Sequence, residues 1–156
     1  MSIMVLLPVS GLQCEVDEAQ HRRRVAVPGL FAAWADDPDG DQGWQPLIGS
    51  PWPLGGSRHW PRGKTPPEQA WFCVFGERVP SGAQVSVVFS NPTGEQVPGR
   101  VTYVGELFWA AEVRGLHPQA AVVVGETHQS CDLVPFDQRP RGTGWFRPHG
   151  VDRRIA

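Results

Sequence analysis

"RVTYVGELFWAAEVRGLHPQAAVVVGE", residues 100–126, is the stretch whose reading decides the fold. It holds three apolar runs of strand length, broken at Gly105 and again between Gly115 and Pro118. β-Branched and aromatic residues fill the runs, while glycine and proline mark the breaks, which is the punctuation of strands. Two strands are predicted around Gly105 and a third over "AAVVV". Upstream, "AQVSVVFS" (83–90) puts Val85, Val87 and Phe89 on one face by period-2 alternation. "WFCVFGE" (71–77) is a compact apolar run, "NPTGEQVPG" (91–99) reads as a loop, and "CDLVPF" (131–136) offers one more short run. No convincing long helix interrupts this rhythm, so an antiparallel all-β domain is predicted.

Within the stretch, "FWAAEVRGLHPQAAVVV" resembles the E-to-F corner of fibronectin type III domains, through Gly115, Leu116, Pro118 and Val124. The family's corner tyrosine falls on Val122, so its hydroxyl and backbone hydrogen bond are missing. Residues 72–124 are also similar to the early-set immunoglobulin-like domains that precede starch-branching and debranching enzymes. The matching positions are Phe72, Val74, Phe75, Pro80, Ala83, Val85, Val87, Trp109 and the same corner. The resemblance covers about the C-terminal half. It implies an immunoglobulin-like β-sandwich and carries no function with it, because that fold hosts many.

Toward the N-terminus the signals are looser. "MSIMVLLPVSGL" has an apolar run without a basic start or a small-residue cleavage site and is broken at Pro8, so it reads as a first strand. "CEVDEAQHRRR" (14–24) is acidic first and basic last, which suits either a short helix or a strand edge. "LFAAWA" and "WQPLI" flank an Asp/Gly/Pro cluster and predict a hairpin with a long turn. Residues 44–71 then carry Trp44, Trp52, Trp60 and Trp71 threaded with prolines, which exclude a helix and a central strand alike. The tail from 137 has five arginines and no strand pattern, and reads as an extended arm. One domain is expected overall, with N-terminal strands and the Trp/Pro-rich segment over 1–70, a core over 71–136 and the arm over 137–156.

At 156 residues the chain can bury a sizeable core without disulfide or metal. A net charge of −2 gives no global attraction to nucleic acid or to an anionic membrane. Three well-separated cysteines, Cys14, Cys73 and Cys131, suit reduced thiols and a cytoplasmic setting.

Candidate chemistry thins out on inspection. "RHWPRGKT" ends like a phosphate-binding loop, but Arg58 stands where glycine is needed and Pro66 and Pro67 follow Thr65 in place of a helix start. Asp37, Asp39 and Asp41 take alternate positions of a calcium-loop pattern, but Gln42 replaces its glycine and Ile48 its bidentate acid. His128 and Cys131 form half a zinc site that would need Cys14 or Cys73 folded beside them. Glu106, Glu112 and Glu126 lie near strands, and their spacing nominates no catalytic pair. No catalytic residue and no cofactor are expected.

The chain is therefore expected to bind. The leading expectation is a structural or adaptor subunit of a larger assembly, of virion or tail-like kind, engaging protein partners or its own copies. Its contacts would come from Trp52, Arg58 and Trp60 in the extended segment and from Arg141, Trp145 and Arg147 in the tail. The alternatives are a glycan-binding module, with exposed indoles stacking on sugar faces, and a small enzyme of unrecognised type.

Overall fold

A computed structural model describes residues 2–26, 31, 35–36, 39–40, 42–48, 53–59, 70–77, 84–115, 117–133 and 151–154, with the backbone alone for 53–59, 127, 131–133 and 151–154. Its described residues are nearly all β, in three antiparallel sheets.

The first sheet is a meander of β1 (Ser2–Leu6), β2 (Gln13–Asp17), β3 (Arg22–Ala26) and the two-residue β4 (Gln45–Pro46), in that order. "CEVDEAQHRRR" is thus a hairpin of two paired strands, in place of the short helix or single strand edge expected. Asp17 pairs with Arg22 and Glu15 with Arg24, so opposite charges face each other on one side of the sheet. Cys14, Val16 and Val25 point the other way and are buried. His21 closes the turn with φ 49°, and the Asp17 carboxylate accepts from the Gln20 amide at 3.2 Å.

The expected hairpin between "LFAAWA" and "WQPLI" does not form as drawn. Phe31 and Ala35 are helical, and β4 pairs with β3 instead. Residues 32–34, between Phe31 and Ala35, lie outside the described residues.

The second sheet contains β5 (Pro53–His59), β6 (Trp71–Glu77), β9 (Arg100–Val104) and β10 (Phe108–Arg114), in the order β5-β6-β10-β9. The proline-bearing β5 takes an edge, where a missing N–H costs no ladder bond. The third sheet contains β7 (Val85–Ser90), β8 (Gln96–Pro98), β11 (Gln119–Val124), β12 (Thr127–Leu133) and β13 (Val151–Arg154), in the order β13-β12-β11-β7-β8. Two expectations change here. Part of the loop over 91–99 is the short strand β8, and Val151–Arg154 of the tail pairs with β12 instead of extending freely. Backbone pairing, which reads no side-chain pattern, decides both.

The second sheet lies between the other two. One apolar cluster joins Leu7, Leu12, Cys14, Val16 and Val25 to Trp71, Cys73, Phe75, Val104, Phe108 and Ala110. A second joins Phe72, Val74, Trp109, Ala111 and Val113 to Val85, Val87, Phe89, Ala120, Val122 and Val124. Alternate residues of β6 and β10 therefore enter different cores. This is why "WFCVFGE" is apolar without alternation: both of its faces are covered, and every residue in it is buried. At the centre, Trp109 lies opposite Gly76, and its Nε1 donates to the Glu77 carbonyl at 3.2 Å. A Cβ on Gly76 would come within 2.2 Å of the indole, so glycine is what admits the ring.

Candidate interaction surface

The first sheet is held to the second by polar groups as well as apolar ones. Glu112 of β10 lies on the same face as Phe108 and Ala110 and is only 1% exposed. Its carboxylate reaches the turn between β1 and β2. There it accepts from the Val9 amide at 3.0 Å, from the Ser10 amide at 2.7 Å and from the Ser10 hydroxyl. Arg114 adds a bond from Nη2 to the Val9 carbonyl at 2.5 Å. The turn has a backbone shape of its own: Leu7 donates to the Leu12 carbonyl at 2.7 Å, and Gly11 sits at φ 77°. A buried carboxylate with three donors is thereby the fastener between the layers.

Beside it are two thiols and a guanidinium. Burial first, and then the nearby Glu112 charge, push the Cys14 and Cys73 thiols above the usual range, while Arg23 pulls Cys14 slightly back. Burial lowers Arg23 to about 10, with Glu77 and then Cys14 opposing that shift. The Arg23 guanidinium lies 5.3 Å from the Phe108 ring centre. Glu77 also accepts from the Ile48 amide at 2.5 Å. Thiols kept protonated and closed to solvent are not nucleophiles. Among the described residues the cluster is buried and holds the layers together.

The outer face of the first sheet is different. Arg24 is flanked by two rings, Phe31 at 4.2 Å and Trp44 at 4.5 Å, and binds Glu15 at 2.6 Å. Its Nη1 also donates to the Gln42 carbonyl at 3.1 Å. Arg22 stacks on Trp44 at 4.3 Å and pairs with Asp17 at 3.3 Å. Next to this ladder, β1 leaves Met4 57% and Leu6 60% exposed, and Ile48 is 66% exposed. Arginine, tryptophan and methionine in one patch form a composition enriched at protein interfaces.

Trp52, Trp60, Arg141, Trp145 and Arg147 fall outside the described residues, as do Asp37 and Asp41. Arg58 lies in β5, paired with Phe72 along the backbone, and Asp39 is exposed in a turn. Trp44 stacks on two arginines, Arg22 and Arg24. His128 is exposed on β12, in the third sheet, whereas Cys14 and Cys73 lie between the first and second. Among the described residues no three His, Cys, Asp or Glu gather as a metal site, and no helix is long and apolar enough to cross a membrane. Sequence reading missed Glu112 as the fastener and the Met4/Leu6 patch. The second had a signal, since "SIMVL" is apolar at four consecutive positions, so both of its faces are apolar and a sheet covered on one face leaves the other exposed. Comparison with family models, curated proteins and solved structures gave no match.

Proposed function

We propose that this chain is a non-catalytic structural or adaptor subunit of a larger protein assembly, working in the cytoplasm. In this reading β5–β12 form an immunoglobulin-like β-sandwich and the N-terminal sheet is an added contact layer. The strand orders favour the fold part: β5-β6-β10-β9 against β12-β11-β7 matches the A-B-E-D and G-F-C orders of immunoglobulin constant-type domains. Gly115 and Pro118 fall at the crossing from β10 to β11, the counterpart of the E-to-F corner.

One observation carries the functional part. The first sheet exposes Met4 and Leu6 on an edge strand, beside a face ordered by stacked arginines. Exposed apolar patches with such neighbours mark protein contacts. The test is the size of the tagged, full-length chain in extracts of its own host, alongside a Met4→Lys, Leu6→Lys variant. A large species that the double variant leaves as a folded monomer is the expected result. A wild-type chain that migrates as a monomer at native abundance would remove the proposal.

A further inference from the structure

Among the described residues three sheets present six edges, and five of them carry proline or charge. β4 ends in Pro46, and β8 in Pro98. β5 begins with Pro53 and carries Arg58. β9 opens with Arg100, and β13 carries Asp152, Arg153 and Arg154. Proline and charge are the usual means of stopping one sheet edge from pairing with another. The sixth edge, β1, has neither. "SIMVL" holds no charge, no proline and no glycine, and four of its five residues are exposed.

The strand also fits its own reversal. Read antiparallel about Met4, Ser2 faces Leu6 of the other copy and Ile3 faces Val5. An odd-length strand keeps its parity when reversed, so Ser2, Met4 and Leu6 stay on the outer face and Ile3 and Val5 on the inner one. No like charges meet. The nearest ionised row is on β2, where Glu15 is neutralised by Arg24 at 2.6 Å. Two such rows would stand three strand spacings apart, roughly 14 Å, beyond the screening length of about 8 Å at physiological ionic strength.

We propose that β1 is a dimerisation edge, pairing antiparallel with β1 of a second copy on a two-fold axis through Met4. The two four-stranded sheets become one continuous sheet. The contact is isologous, so it closes at two copies. It supplies about four to six backbone hydrogen bonds, depending on which alternate residues face outward, and covers Met4 and Leu6 from both sides. This rests on the assembly reading and names one contact within it.

The purified full chain tests it by sedimentation up to about 100 µM, a range that detects weak dimers. In a Cys131→Ser background, Met4→Cys is then oxidised mildly with copper phenanthroline. Directly opposed residues of an antiparallel pair have Cα atoms about 4.5–5.5 Å apart, within the Cα span of roughly 4.4–6.8 Å that a disulfide bridges. Met4→Cys should cross-link alone, whereas Ser2→Cys and Leu6→Cys should cross-link only when mixed. Met4→Lys, exposed and harmless to the fold, should weaken dimerisation about tenfold or more by opposing two charges on the axis. A chain that stays monomeric, with Met4→Cys uncross-linked, overturns the self-pairing. So does efficient cross-linking of Ser2→Cys alone, which implies another register. If such a chain still runs in a large complex in host extract, the assembly reading stands and another partner holds it; monomers in both settings remove both.

Discussion

Replacing Glu112 by glutamine changes one atom and tests how the N-terminal sheet is attached. The carboxylate accepts the Val9 amide on one oxygen and the Ser10 amide and hydroxyl on the other. An amide side chain keeps one oxygen and presents an NH2 in place of the second. In its better orientation it retains both Ser10 bonds and sets its NH2 against the Val9 N–H. One charge-assisted bond, worth about 1.5–3 kcal/mol, is lost, and two others become neutral and weaker by about half. Relief from burying a charge offsets part of this. The net cost should be about 2–3 kcal/mol. Urea unfolding followed by tryptophan fluorescence should then show a midpoint lower by roughly 1–1.5 M, taking a slope of about 2 kcal/mol per molar. Hydrogen exchange should quicken most at Val9 and Ser10, and Cys14 should become open to alkylation before the second and third sheets unfold. A Glu112→Gln chain within about 0.5 kcal/mol of wild type, with Cys14 still protected, would refute the fastener role.

Two further perturbations probe the same core. Cys14 and Cys73 keep their protons in the folded chain above the ordinary value of 9.0, so the unfolded chain loses protons that the folded one holds. Stability from these thiols is thus full below pH 9 and falls as pH rises past it, by about 0.8 kcal/mol per thiol at pH 9.5. Arg23, lowered to about 10, has the opposite sign and returns only about 0.2 kcal/mol at that pH. Denaturant midpoints at pH 7.5 and 9.5 should separate in wild type and draw together in the Cys14→Ala, Cys73→Ala chain; equal separations would count against the burial account. Gly76→Ala should cost about 3 kcal/mol by overpacking against Trp109, and distinctly less in a Trp109→Phe background. Matching costs in both backgrounds would mean that the ring does not set the limit at Gly76.

How much of this was legible beforehand can be judged from particular stretches. β7, β9, β10 and β11 could be read directly, because each has alternation or β-rich runs between glycine and proline breaks. The β2–β3 hairpin escapes the sequence reading, which offers a short helix or a strand edge, although Glu15 and Arg24, and Asp17 and Arg22, stand symmetrically about one turn. Macrodipole order and cross-strand pairing use the same charge sequence, and local reasoning could not choose between them. β8 and β13 were not legible, since an edge strand needs only a free ladder to pair with and carries little pattern of its own. Glu112 was visible only as an acid near a strand, and its role depends on a turn about a hundred positions away in the chain.

The sequence by itself determined the all-β class, most strand positions and the absence of recognisable catalytic spacing. These follow from local sterics and side-chain period, which act over a few residues. Only the tertiary structure decided that the sheets number three, that the middle one is buried on both faces, and that Glu112 and the two thiols meet at one layer boundary. Among the described strands it also left β1 as the edge without proline or charge. Layer stacking is chosen by which apolar faces remain uncovered once strands have paired, and that is a property of the whole chain, which no short stretch can carry.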